Sequence, residues 1–317
     1  MSNPSVSIIV PLFNKEEWII QTLLSVYKQS FRDWECIIIN DGSTDESLTK
    51  VWAFIEEHPA NWQVITLENS GQTIARNFGI QVAKGELIAF LDADDLWHHE
   101  KLQVQVDLFH SKPELDLIFC SYVIFREDQR KFFRVVSILD PKKLAEGWLS
   151  LRGFGGLIES TGMIKRVSLT KFGIFENSLS MSAGLDLSYR IIKSGTCVVT
   201  SEPLVFYRLS DSQFHKNEEL LINDMNLASK AHASSPVVLK RLKNDYQNYL
   251  YWSETRRYGY RKLIKGILLA FLHLDTPKLT ILYFLSSRNV IALVRGFQQR
   301  RKIIAFLETQ KLPAPSL

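Results

Sequence analysis

Three carboxylates within four residues, Asp92, Asp94 and Asp95, close an apolar run that begins at Leu87. A short run of this kind, opening after Lys84-Gly85, reads as a buried strand. Carboxylates at the mouth of a buried strand are costly unless they meet a cation or open water. Oxygen ligands at this density suit a hard divalent ion, Mn2+ or Mg2+. Such an ion would in turn hold a phosphate-bearing substrate. An acidic helix start would leave the same trace, so the surrounding elements must decide between the two.

Three further polar clusters follow strand-like runs. Pro11–Asn14 follows Val6–Val10, Asp41–Asp45 follows Cys36–Ile39, and Asn69–Asn77 follows Gln63–Leu67. Helical patterns separate them. Ile19, Leu23 and Val26 recur at helical spacing after a capping-box pattern of Asn14 with Glu17. Ser43 with Glu46 repeats that pattern ahead of a helix that stops before Pro59. Further helices are expected from about Thr73 to Lys84 and from His99 to Ser111, with a strand over Leu115–Phe125. Strands beginning near 6, 36, 63 and 86 with helices between them predict an α/β fold, a doubly wound, mostly parallel sheet. Ligands bind such sheets outside the carboxyl ends of the strands. All four polar clusters should therefore meet at one edge.

From 130 to 215 the pattern loosens. Asp186–Ser194 has helical spacing closed by Gly195, and Cys197–Thr200 and Leu204–Tyr207 read as two strands around Pro203. Beyond 216 the chain reads as helical, which divides it into 1–215 and a helical C-terminal extension, 216–317. A hydrophobic share of 46% with 23% charged residues suffices for a core, and a net charge of +4 gives no reason to expect nucleic acid. Cys36, Cys120 and Cys197 are too far apart for a zinc knuckle or a disulfide framework and read as buried thiols in a reducing compartment. The first residues lack the pattern of a secretory leader, and no apolar run reaches the ~18–20 residues needed to cross a bilayer. The expected location is cytoplasmic. Arg256, Arg257, Arg261, Lys262 and Arg300-Arg301-Lys302 lie among apolar and aromatic residues, a pattern that suits peripheral contact with the inner face of the membrane.

Taken together, Val10-Pro11-Leu12-Phe13-Asn14, Asn40-Asp41-Gly42-Ser43-Thr44-Asp45, Ala75-Arg76-Asn77-Phe78-Gly79 and Leu91-Asp92-Ala93-Asp94-Asp95 resemble, in order and spacing, the inverting glycosyltransferase family two. The resemblance covers about residues 5 to 210. It implies the glycosyltransferase A fold, a nucleotide-diphosphate sugar as donor (UDP-linked) and a glycan or lipid-linked acceptor in surface polysaccharide or glycoconjugate synthesis. It places Pro11, Phe13 and Glu16 around the nucleotide, with Asp41 accepting a hydrogen bond from the base. Arg76 would neutralise a phosphate or brace the acids. Asp92 and Asp94 would form the metal-binding pair. Asp45 is expected to cap a helix, and His98 and His99 to be exposed or capping.

The pattern breaks at one place. An inverting transferase needs a base that takes the acceptor proton, and the resemblance puts a Glu-Asp pair just before the helix at Leu185-Asp186-Leu187. Here that pair is Ala183-Gly184. Asp186 is the nearest carboxylate and the candidate base; Glu176 and Glu159 are outside candidates. The resemblance also leads to a histidine after Tyr207-Arg208, where Ser210 stands and His215 is the nearest imidazole. The alternative reading is a catalytically impaired sugar-nucleotide-binding protein acting as partner or regulator.

Overall fold

The structure, a computed structural model, describes residues 3–126, 131–136, 159–180, 182–208, 224 and 227. The chain divides into two compact units, Met1–Ala233 and Ser234–Leu317, and every described residue belongs to the first. The expected helical region beyond 216, with its basic residues and His215, lies outside the described residues except for Asp224 and Leu227.

The first half alternates as expected: β1 (Val6–Leu12), α1 (Ile19–Tyr27), β2 (Trp34–Asp41), α2 (Ser47–Glu57), β3 (Trp62–Leu67), α3 (Gln72–Val82) and β4 (Leu87–Phe90). A two-residue strand, β5 (Leu96–Trp97), precedes α4 (Lys101–Ser111). Then come β6 (Leu117–Arg126), β7 (Lys131–Val136), a 3-10 turn over Glu159–Thr161, β8 (Met163–Lys165), α5 (Arg166–Phe172), α6 (Ala183–Ser194) and β9 (Cys197–Arg208). The two strands expected around Pro203 are one strand. Its pairing with β6 shifts register near Ser121, opposite Pro203, and this absorbs the missing N–H.

The sheet runs β3-β2-β1-β4-β8-β6-β9-β5, with β7 paired to β6. Pairings among β3, β2, β1 and β4, and between β6 and β9, are parallel. β8 is antiparallel to both its neighbours, so β4 and β6 point the same way. The sheet is thus mostly parallel. The central strands β1, β2 and β4 are rich in β-branched and apolar residues because both their faces are covered: Ile8, Ile9, Ile37, Ile38, Ile39 and Ile88 have no exposed surface. The chain goes outward from β1 through β2 to β3, then returns to place β4 on the other side of β1. That reversal creates a crevice between the carboxyl ends of β1 and β4, the place where such sheets take ligands.

Both capping boxes fail for the same reason. α1 begins at Ile19 and α2 at Ser47, each later than expected, and neither has a side-chain cap from its N-cap residue. Asn14 and Ser43 are instead used to join two loops. Among the described residues no helix is long and apolar enough to cross a membrane.

Candidate donor-sugar site

The four strand-end clusters form a closed ring. Asn14 leaves β1 with a positive φ of 50°, the only such non-glycine among the described residues. That turn lets its side chain accept the Thr44 N–H at 2.8 Å while its own N–H donates to Ser43 Oγ at 3.2 Å. The Glu16 N–H donates to Asp45 at 3.1 Å, and the Glu46 N–H donates to Glu16 at 3.0 Å. Asp45 also accepts the Ser47 N–H at the start of α2, the capping role expected of it. The first loop is thereby fastened to the second.

Asp41 fastens the second to the third. It is 3% exposed and accepts the N–H groups of Ser70 and Gly71 at 2.8 and 2.9 Å. Gly71 has φ 97°, a conformation that favours glycine. The third loop meets the fourth through Gln72 and Arg76, which donate to Asp92 Oδ1 at 3.1 and 2.5 Å. Finally Lys15 Nζ donates to Asp94 Oδ2 at 2.7 Å, closing the ring across the crevice between β1 and β4. Phe13 stands exposed at the end of β1, and Pro11 is buried within that strand.

The acids are held from below by buried groups. Thr22 Oγ1 donates to the carbonyls of Ala93 and Asp95 at 3.0 and 2.9 Å. Asp95 is fully buried and accepts Ser160 Oγ at 2.6 Å and the Arg208 N–H at 3.1 Å. Ser160 Oγ also accepts the Asp92 N–H at 3.1 Å. Arg208 Nε donates to the Asp94 carbonyl at 2.8 Å, and its guanidinium lies over the Phe125 ring at 4.7 Å.

This packing concentrates negative charge. Burial raises the Asp94 carboxyl above its ordinary range; Lys15 pulls it back and Asp92 pushes it up again. Burial, then Asp94 and Asp92, raise Asp95 well above that range, against the Ser160 and Arg208 hydrogen bonds. Tyr207 is also raised, by burial and then by the three acids. Arg76 is the built-in counter-charge. It is 2% exposed, and although burial works against its charge, Asp92 and Glu159 hold it protonated. Its Nη2 sits on Asp92, its Nη1 lies 3.7 Å from Glu159, and its Nε has no hydrogen-bond partner among the described residues.

Two expectations are settled here. Of the two roles expected of His98, exposed or capping, the second holds: it is fully buried, its carbonyl accepts Gln29 Nε2, and its Nδ1 accepts the N–H of Glu100, the residue that opens α4. Cys197 is only half-buried, unlike Cys36 and Cys120. Asp186 lies in the first turn of α6, 5% exposed, bonded by Arg190 Nε at 2.9 Å and paired with its Nη2 at 2.8 Å. Glu176 bonds locally to Ser178. Lys15, Gln72, Ser160 and Arg208 were not anticipated as parts of the site. Lys15 adjoins the predicted cluster Pro11–Asn14 and Gln72 lies within Asn69–Asn77, so both could have been found there. Ser160 lies 65 residues from Asp95 in an aperiodic stretch that carried no signal.

The sequence model described as glycosyl transferase family 2 matches residues 7–177, just over half of the chain. The putative teichuronic acid biosynthesis glycosyltransferase TuaG of Bacillus subtilis is 35% identical over 125 residues, 39% of this chain and 49% of that protein. Against three other curated bacterial glycosyltransferases, the matched segment spans 15% to 66% of their length. Among solved structures, S. aureus TarS 1–349 in complex with UDP-GlcNAc superposes with TM-score 0.59 at 19% identity, covering 80% of this chain and 74% of that one. The mannosyltransferase PcManGT of Pyrobaculum calidifontis, in complex with GDP-Man and Mn2+, superposes with TM-score 0.58 at 16% identity, covering all of this chain and 87% of the other. These likenesses establish the fold, a curled, mostly parallel sheet of the glycosyltransferase A type.

Proposed function

The chain belongs to glycosyl transferase family 2, and from that premise we propose that it moves a sugar, with inversion, from a nucleotide-diphosphate donor to a hydroxyl of a glycan or lipid-linked acceptor in surface-polysaccharide synthesis. The observation that carries this reading is the ring of four strand-end loops closed by Arg76–Asp92 and Lys15–Asp94. It sits at the crevice where the strand order reverses, and it holds more carboxylates than it has cations to balance. In this reading Phe13 offers an exposed ring to the nucleobase, Pro11 and Glu16 shape the nucleotide pocket, and Asp41 faces the base while holding the third loop. UDP is the nucleotide we favour; the relatives in complex with UDP-GlcNAc and with GDP-Man make both worth testing.

The donor set suits a hard divalent ion, Mn2+ or Mg2+. Asp94, with Asp92, would hold it. Among the described residues no cluster of three or more His, Cys, Asp or Glu could hold a metal alone, so diphosphate oxygens and water would complete the shell, as is usual for Mg2+. When bound, the ion offsets charge on the departing diphosphate. The protein's own part is to place Asp94 by the Thr22 bonds to the Ala93 and Asp95 carbonyls and the Arg208 bond to Asp94's own, and to orient Asp92 by its ion pair with Arg76. A bound ion would compete with Lys15 for Asp94, and the ammonium, 2.7 Å from Asp94 Oδ2, would be placed to meet a phosphate oxygen instead.

A second reading, a sugar-nucleotide-binding protein without turnover, is favoured by Ala183-Gly184 and by the pairing of Asp186 with Arg190. One experiment separates the two. The full chain is given UDP-, GDP- and dTDP-sugars with Mn2+, with water and simple alkyl glycosides as acceptors, and nucleoside diphosphate release is followed. Metal-dependent release from one donor class supports transfer. Nucleotide binding with no release from any donor supports the second reading.

A further inference from the structure

The geometry points to Glu159 as the proton acceptor of the transfer reaction, with Gly184 as the residue that makes room for it. This rests on the transfer reading above. Most carboxylates around the crevice are already engaged. Asp41 and Asp45 each hold two backbone N–H groups. Asp92 and Asp94 are ion-paired with Arg76 and Lys15, Asp95 is bonded by Ser160 and Arg208, and Asp186 is forked by Arg190. Glu159 is held by its own N–H and that of Gly184, but it makes no ion pair at hydrogen-bond length, its Arg76 Nη1 contact being 3.7 Å, and its side chain is 21% exposed. It shares Arg76 with Asp92, so it stands one guanidinium away from the acid placed at the donor.

Its backbone, by contrast, is fixed. The Gly162 N–H donates to the Glu159 carbonyl at 3.0 Å, Trp97 Nε1 to the Ser160 carbonyl at 2.9 Å, and Gln105 Nε2 to the Thr161 carbonyl at 2.9 Å. A fixed turn thus carries a carboxylate that backbone N–H groups aim and that keeps an exposed edge, which is what a base needs. The carboxylate lies against the first turn of α6. A Cβ added to Gly184 would come within 2.6 Å of Glu159 Cγ, and nearer still to its Cδ and carboxylate oxygen. Gly184 sits in a helix with ordinary backbone, where its missing side chain has no conformational purpose. The purpose is the space it leaves. The carboxylate that the resemblance placed on residue 184 is supplied instead from residue 159, across the same gap.

In the step itself, the Glu159 carboxylate takes the proton of the acceptor hydroxyl. The oxygen's electron pair forms the bond to the anomeric carbon. The bond from that carbon to the diphosphate oxygen breaks, and its electron pair leaves with the diphosphate. The protonated Glu159 then returns its proton to water.

The test uses the full chain with the donor panel above and Mn2+. Glu159→Gln keeps size and the acceptor for Arg76 but cannot take a proton. It is expected to lower kcat by about 10²–10⁴-fold while UDP or GDP affinity in calorimetry stays within about threefold, since no donor contact is lost. Gly184→Ala, favourable for a helix, should fold as wild type yet displace the carboxylate and lower kcat too. Glu159→Ala with Gly184→Asp returns a carboxylate to the same space and should recover at least about tenfold over Glu159→Ala alone. Undiminished kcat in Glu159→Gln would overturn the assignment and leave the transfer reading standing. So would a loss confined to donor affinity, which marks a brace for Arg76. A wild-type chain that releases nucleoside diphosphate from no donor overturns both.

Discussion

Ser160 is the residue on which the acids depend most directly. Its hydroxyl donates to buried Asp95 and accepts the Asp92 N–H, so one side chain sets the spacing of both. Ser160→Ala leaves the most deeply buried carboxylate short of a donor. It is expected to cost about 1–3 kcal/mol in urea unfolding and to weaken nucleotide binding through the misplaced Asp92; a change within experimental error in both would remove Ser160 from the site. Lys101 carries a different lesson. Fully buried, with Nζ 2.8 Å from Gln105 Oε1 and 3.9 Å from the Trp97 ring centroid, it is lowered by burial from 10.5 to about 8. Between those values the unfolded chain binds the extra proton, so this residue's contribution to stability rises with pH through that window and is lost as pH falls through about 8. The stability difference, wild type minus Lys101→Met, should therefore grow between pH 7.5 and 10, by on the order of 3 kcal/mol at most. A flat difference would mean Lys101 is charged throughout. Nothing in the sequence marked Lys101 as buried, because a lysine early in an amphipathic helix ordinarily faces water.

The elements place the site by close backbone approach. α3 lies on β1, and Gly79 is where they touch: a Cβ there would stand 2.5 Å from Ile9 Cγ2, and Ile9 is fully buried. Alanine would favour the isolated helix by up to about 1 kcal/mol, but overpacking costs about 1–3 kcal/mol. Gly79→Ala is thus expected to destabilise in urea unfolding and to weaken donor binding, because α3 carries Arg76 and Gln72; a more stable variant would show that β1 and α3 can separate freely. At this scale the sequence was most legible. The parallel alternation through β4 follows from apolar runs and helical spacing, which are local signals. The reversed β8 and the single bent strand β9 were not legible, because β8 is three residues long and β9 is fixed by its pairing with β6, 80 residues away. The capping boxes misled because Asn14 and Ser43 bond across loops 29 and 30 residues apart rather than within their own helices.

For the molecule, the proposed donor site and the proposed base were written differently in the chain. The donor half comes from four loops, each beside its own strand, so their convergence could be read before any distance was known. The proposed base was fainter: Glu159, 25 positions before Gly184, stood only as an outside candidate, and the space left by that glycine is what singles it out. In the proposed donor half, Asp94 would hold a divalent ion and a diphosphate together. The direct measurement is calorimetry of UDP and GDP binding to the full chain, with and without Mn2+, for wild type and Asp94→Ala. Nucleotide binding is expected to depend on Mn2+ in the wild type and to be lost in the variant, with the fold intact by thermal unfolding. Equal, Mn2+-dependent affinity in Asp94→Ala would contradict it.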